Sequence, residues 1–138
     1  MRLRGSMVFS VYKIPVNNGI RIILKDRDNT KISECRVASN NGIWSITEWF
    51  TEGTFRNQGY GTRVLKEALL SLLDEYGVPD EIRYNWNGVN EYVYLWLEKK
   101  FNAQPFVPEF QRYEEDEKSY HIYILDKQKV LSFVQEEL

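Results

Sequence analysis

Cysteine is nearly absent from this chain. Cys35 stands alone among 138 residues, which excludes an intrachain disulfide and a thiolate metal cluster. Histidine is as scarce, with His121 the only one, and this argues against a metal site built on imidazoles. An excess of one charge is missing too: 18 basic residues face 20 acidic ones. Nothing in that balance marks a nucleic-acid surface, and no polybasic stretch suits an anionic membrane. No apolar run approaches the roughly 20 residues that a membrane-spanning helix needs. The first seven residues carry charge with no apolar block behind them, unlike a secretory signal. Met7 reads as a natural start, so residues 1–6 are left outside the fold. A cytoplasmic location is the expectation that remains.

What is present fits an ordinary globular chain, with 43% hydrophobic and 28% charged residues. Aromatic residues reach 14%, on the high side, with four tryptophans. A chain of this length is expected to form one domain, residues 1–138, and to bury roughly two-thirds of its surface.

The hydrophobic pattern divides the chain in two. Residues 8–14, 20–25, 31–39 and 43–51 alternate and are rich in β-branched and aromatic side chains. Turn chemistry separates them: Pro15 to Gly19, Asp26 to Asn29, and Asn40-Asn41-Gly42, the last a hairpin signal because Asn and Gly tolerate positive φ. The first half therefore reads as an antiparallel meander. The period then changes. Leu65, Leu69, Leu72, Leu73 and Tyr76 fall on one helical face, and Gly77 and Pro79 end that helix. Residues 81–86 read as a fifth strand, parallel to the fourth across the helix. Asn90 to Phe101 is a second helix with Val93, Trp96, Leu97 and Phe101 as its stripe. Residues 103–107 and 119–125 are late strands, joined by a charged loop at Glu114 to Lys118. Val130, Phe133 and Val134 suggest a short terminal helix.

Between the fourth strand and the first helix lies Arg56-Asn57-Gln58-Gly59-Tyr60-Gly61-Thr62. A strand that turns into a helix through two glycines leaves backbone N–H groups pointing one way. The helix end adds partial positive charge and Arg56 a full one, so the place suits a phosphate. The reading is a loop that holds the pyrophosphate of a nucleotide-like cofactor. Two familiar loops do not fit. A P-loop ends in Gly-Lys-Ser/Thr, whereas Gly61 precedes Thr62-Arg63. The dinucleotide fingerprint needs a third glycine where Val64 stands, and an acidic residue ending the next strand, where Asp80 and Glu81 begin it.

The pattern Gln/Arg-x-x-Gly-x-Gly/Ala is matched at each defined position by residues 56–61. With the element order of residues 43–107, it resembles the GNAT superfamily of acyl-CoA-dependent N-acetyltransferases. The fold implied is α+β: a mainly antiparallel mixed sheet with two central helices and splayed fourth and fifth strands. The helices that members carry between the first two strands are reduced or absent, because Pro15 to Gly19 is too short for any. The acceptor side is then expected to be open, or closed by a partner chain in a homodimer. A second departure concerns the second helix. The tyrosine that members often carry there falls on Trp96 or on Leu97, according to whether Phe101 or Asn90 is aligned.

The resemblance implies acetyl-CoA as co-substrate, a small-molecule or protein amine as acceptor, and no metal. It implies that Trp49, Phe50 and Thr51 pair with the pantetheine arm. Arg56, Asn57, Gln58, Gly59, Tyr60, Gly61 and Thr62 take the pyrophosphate, and Asn90 lies in the same cofactor site. Glu48 is the candidate base; an ion-paired strand glutamate is the competing reading. Tyr94, and Tyr92 beside it, are the candidate acids, with a core role as the alternative. His121 and Cys35 read as packing residues, and the tryptophans as core or as the floor of an acceptor pocket. The acidic run at Glu114 to Glu117 reads as a solvated loop or as the border of a site for a cationic acceptor. Two rivals to an enzyme remain: a GNAT-like module that binds CoA or acts through a partner, and a small domain serving assembly alone.

Overall fold

The computed structural model describes residues 9–86, 91–106 and 121–136. A seven-stranded sheet runs in the order β1-β2-β3-β4-β5-β7-β6. Its strands are β1 (Ser10–Val16), β2 (Gly19–Lys25), β3 (Lys31–Asn40), β4 (Ile43–Thr51), β5 (Glu81–Trp86), β6 (Gln104–Phe106) and β7 (His121–Leu125). The helices are α1 (Tyr60–Tyr76), α2 (Glu91–Phe101) and α3 (Lys127–Gln135), with a short 3₁₀ turn at Gly53–Phe55. This is the α+β fold expected, with a mixed sheet in which β4 and β5 alone run parallel.

The meander is built by its turns. Asn41 and Gly42 both take positive φ, 53° and 83°, the two-residue geometry that matches the twist of paired strands. The first hairpin differs from expectation. Pro15 and Val16 belong to β1, opposite Ile20 and Gly19, and the turn is Asn17–Asn18 alone. A proline is tolerated there because β1 is an edge strand, whose outward N–H positions need no partner. No helix intervenes between β1 and β2.

The helices cover one face. Val64, Leu65, Ala68, Leu69 and Leu72 of α1 meet Ile22, Leu24, Cys35 and Val37 of the sheet. Leu97 and Phe101 of α2 and Phe133 of α3 extend the same core, with Phe101 and Phe133 rings 5.2 Å apart. Asp126 caps α3 by accepting a bond from Lys129 N, as a short polar N-cap does. In the last turn of α1, Tyr76 is exposed, against the expected stripe. Gly77 closes the helix at φ 80° with an extended ψ of −167°, which favours glycine but is not the left-handed helical cap expected.

Among the described residues, no helix covers the opposite face of the meander. Its residues seal it themselves. Glu34, 5% exposed, receives Arg21 Nε at 2.7 Å and Lys31 Nζ at 2.7 Å. Lys25 lies over the Tyr12 ring and Lys31 over the Phe50 ring. The Arg21 hydrogen bond holds the Glu34 carboxyl below its ordinary value of 4.5, against the opposing effect of burial. A folded-state value below the unfolded one means stability that is complete above about pH 5 and lost as pH falls through the lowered value. Denaturant midpoints should therefore be flat near neutrality and decline in acid. The Glu34→Gln variant should be less stable at pH 7 and lose part of that acid slope.

Candidate functional site

The glycine loop opens α1. Gly59 is the N-cap at φ 90°, and Asn57 takes φ 63°. The helix starts at Tyr60, inside the motif. No side chain caps this end. Among the described residues, the backbone N–H groups of Asn57, Gln58, Gly59, Tyr60, Gly61 and Thr62 have no protein acceptor; the first bond is Arg63 N to Gly59 O at 3.0 Å. Orphan donors at a helix N-terminus are an anion site in waiting. A Cβ on Gly59 would meet nothing within 4 Å, so the space before the loop is open. Arg56 is exposed and lies beside it, its Nε donating to Thr51 O at 3.0 Å. Gln58 Nε2 donates to Thr54 O.

The neighbouring wall comes from an irregularity in β4. The β3–β4 register jumps from Arg36↔Glu48 to Val37↔Ile46, so Thr47 is an extra, bulged residue. Such an insertion reverses which side chains face which way. Trp44 and Ile46 are core residues before the bulge; Trp49 and Thr51 take that side after it. Trp49 Nε1 donates to Gly61 O at 2.8 Å and ties β4 to the first turn of α1. A Cβ on Gly61 would lie 3.1 Å from Thr51 Oγ1 and 3.9 Å from Trp49 Nε1, so glycine permits this close approach. Thr51 Oγ1 in turn bonds Ser33 Oγ at 2.8 Å.

At the same level the sheet opens. β4 and β5 pair at Ile43↔Glu81 through Ile46↔Tyr84 and no further. Among the described residues, no strand pairs with β4 on that side from Thr47 onward. The expected splay is thus present, and it produces a cleft of about 1040 Å³. Its lining includes Glu48, Trp49, Phe50, Thr51 and the loop residues Arg56, Asn57, Gly59, Tyr60, Gly61 and Thr62. Typical small-ligand pockets span ~300–1,000 Å³, so this one suits an elongated guest. Tyr84 and Asn85 of β5, and Val93 and Trp96 of α2, close the other wall. Trp49 packs against Trp96, centroids 5.5 Å apart, and edge-on to Tyr84 at 6.4 Å.

The structure brings most of the expected site together. Among the expected cofactor residues, only Gln58, turned to Thr54, and Asn90, outside the described residues, are missing from the lining. Glu48 lines the cleft but is 56% exposed and faces Arg36 Nη1 at 3.5 Å. Tyr94 does not join the site. Val93 and Trp96 occupy the helical positions that face the cleft, and Tyr94 is turned away from them. Its ring lies on Tyr123 at 4.4 Å and its hydroxyl donates to Glu98 at 2.8 Å. That bond holds its proton, with the pKa pushed up to about 12. The acidic loop and the side chains of Tyr92 and His121 lie outside the described residues. Cys35 is buried at the core and its thiol is pushed up by desolvation. Two residues escaped the sequence reading. Thr47 was readable in the shift of apolar phase from Trp44 and Ile46 to Trp49 and Thr51. Tyr84 gave no signal, because it alternates with Ile82 like any core residue.

No family model matches the chain, and no curated protein does. Solved structures do. A GNAT family acetyltransferase from Staphylococcus aureus Mu50 superposes with TM-score 0.62 at 10% identity, over 79% of this chain and 68% of that one. One from Elizabethkingia anophelis with acetyl-CoA bound gives 0.60 at 12%, over 86% and 97%. A Bacillus subtilis acetyltransferase in complex with CoA gives 0.60 at 12%, over 86% and 99%. At these identities the likeness establishes the fold: this chain has the acyl-CoA N-acyltransferase fold.

Proposed function

We propose that this chain is an N-acetyltransferase that moves an acetyl group from acetyl-CoA to a primary amine by direct attack in a ternary complex. One observation carries the reading. Among the described residues the N–H groups of residues 57–62 have no protein acceptor, and all of these residues but Gln58 line the cleft where β4 and β5 part. The residues present fit the donor. The loop supplies charge-assisted bonds to a diphosphate at ~1.5–3 kcal/mol each. The free edge of β4 beyond Ile46 offers backbone groups to an extended amide arm.

The bound donor supplies an activated acyl thioester. Transfer forms one C–N bond and breaks one C–S bond; the electron pair stays with sulfur and the nitrogen gives up a proton. The chain's main contribution is to hold two reactants together, worth up to ~7–11 kcal/mol. In this reading Glu48, at the cleft edge, accepts a proton from the incoming ammonium, directly or through water. Arg36 competes for it.

A second reading, a CoA-binding module of weak activity that works through a partner, is favoured by one fact: Tyr94 is turned away from the cleft. Acetyl-CoA at about a hundredfold over its Kd should stabilise the fold by about 2.7 kcal/mol, and the melting temperature should rise by several degrees. Release of CoA thiol with a panel of primary amines then separates the two readings. A shift without thiol release favours the module, and no shift sinks both.

A further inference from the structure

Resting on the acyl-transfer reading, we propose that the Tyr84 hydroxyl is a hydrogen-bond donor to the reacting thioester, supplied by strand β5 and not by helix α2. Tyr84 is 8% exposed and lines the cleft. It sits at the fork itself: Ile46↔Tyr84 is the last pair between β4 and β5. Its ring stands edge-on to Trp49, leaning across the gap towards β4.

Among the described residues its hydroxyl has no hydrogen-bond partner, although the residue is more than nine-tenths buried. Buried hydroxyls are almost always satisfied, and an unsatisfied one is destabilising. Phenylalanine would fill the same space without that penalty. Packing therefore does not account for the oxygen, whereas a ligand acceptor in the cleft does. Tyr94, by contrast, has its own acceptor in Glu98.

Burial keeps the phenol protonated, with its pKa pushed up to about 12. Around it stand Cys35 of β3, itself held neutral by burial, and Tyr123 of β7, paired opposite. Glu48 shares the cleft. A phenol this weakly acidic does not surrender its proton to a thiolate, whose thiol is far more acidic at about 8.5. It can donate a bond at any physiological pH, and that bond strengthens as the thioester takes up charge.

The test is Tyr84→Phe, measured in the full chain against wild type. The melting temperature should hold or rise, and CoA affinity should stay within about twofold. Acetyl-CoA affinity should fall about fivefold, the effect of one hydrogen bond. Turnover of acetyl-CoA, to amine or to water, should fall about 10²-fold, equally at every pH from about 6 to 9. Wild-type acetyl-CoA affinity and turnover in the variant would overturn the assignment. So would a melting temperature several degrees lower, since the hydroxyl would then be structural. An alkaline limb that the substitution removes would also overturn it, since the phenol would then be an acid. If the wild type itself binds no acetyl-CoA, the acyl-transfer reading falls, whatever the variant does.

Discussion

Gly61→Asp should abolish CoA binding and leave the domain folded. Gly61 is the second residue of α1 and lines the cleft, and among the described residues its N–H has no acceptor. An aspartate there is tolerated by the helix, because negative charge near an N-terminus is stabilising by ~0.3–1 kcal/mol. Its Cβ would lie 3.1 Å from Thr51 Oγ1, a hydroxyl that must give by a few tenths of an ångström. The fold therefore absorbs the change. A diphosphate does not. A unit negative charge about 4 Å from one phosphate charge costs about 4 kcal/mol at an effective dielectric of 20. That is roughly a thousandfold in affinity. Titration with CoA should show no saturation at concentrations that fill the wild type, with the melting temperature of the free protein within a few degrees. Binding within threefold of wild type would mean that the diphosphate lies elsewhere.

Trp49→Ala has the largest expected effect on the structure. Truncation removes the Nε1 bond to Gly61 O, which ties β4 to the first turn of α1, and the ring contacts with Trp96 and Tyr84. Replacing a packed tryptophan by alanine costs ~3–5 kcal/mol. The variant should unfold at a much lower denaturant midpoint and bind CoA far more weakly. Deleting Thr47, by contrast, joins Ile46 to Glu48 and makes the ladder regular, with Val37↔Ile46, Arg36↔Glu48 and Cys35↔Trp49 in succession, so Trp49 and Thr51 keep their face. Thr47→Ala loses only the Thr47 Oγ1 bond to Arg36 O and should stay near wild type. A Trp49→Ala midpoint equal to that of Thr47→Ala would show that the indole does not set the wall of the cleft.

Much of this architecture was legible in local chemistry. Asn41–Gly42 marked the β3–β4 hairpin, Ile43–Thr51 and Glu81–Trp86 had the strand bounds expected, and Val130, Phe133 and Val134 do anchor the last helix. The glycine loop was legible because phosphate binding by backbone demands specific residue types at specific spacings. Three things were not. Pro15 reads as a turn residue until its strand is known to lie at the sheet edge. Tyr94 and Trp96 are both aromatic residues on one short helix, and only the helical phase against β5 and β7 decides which faces the cleft. Tyr84 alternates with Ile82 on β5, and hydropathy cannot distinguish a packing tyrosine from one whose oxygen lacks an acceptor.

The two-residue turn at Asn17–Asn18 has an engineering consequence. It is the point where this scaffold could receive a spliced segment. The turn begins three residues along β1 from Ile14, in the row that runs Ile14, Arg21, Arg36, Glu48. A helical pair grafted there would have the uncovered sheet face, and its Glu48 edge, within reach. The amide cradle opens α1, the helix packed on the other face. Recognition of one reactant could therefore be rewritten by insertion while the grip on the other stays as it is.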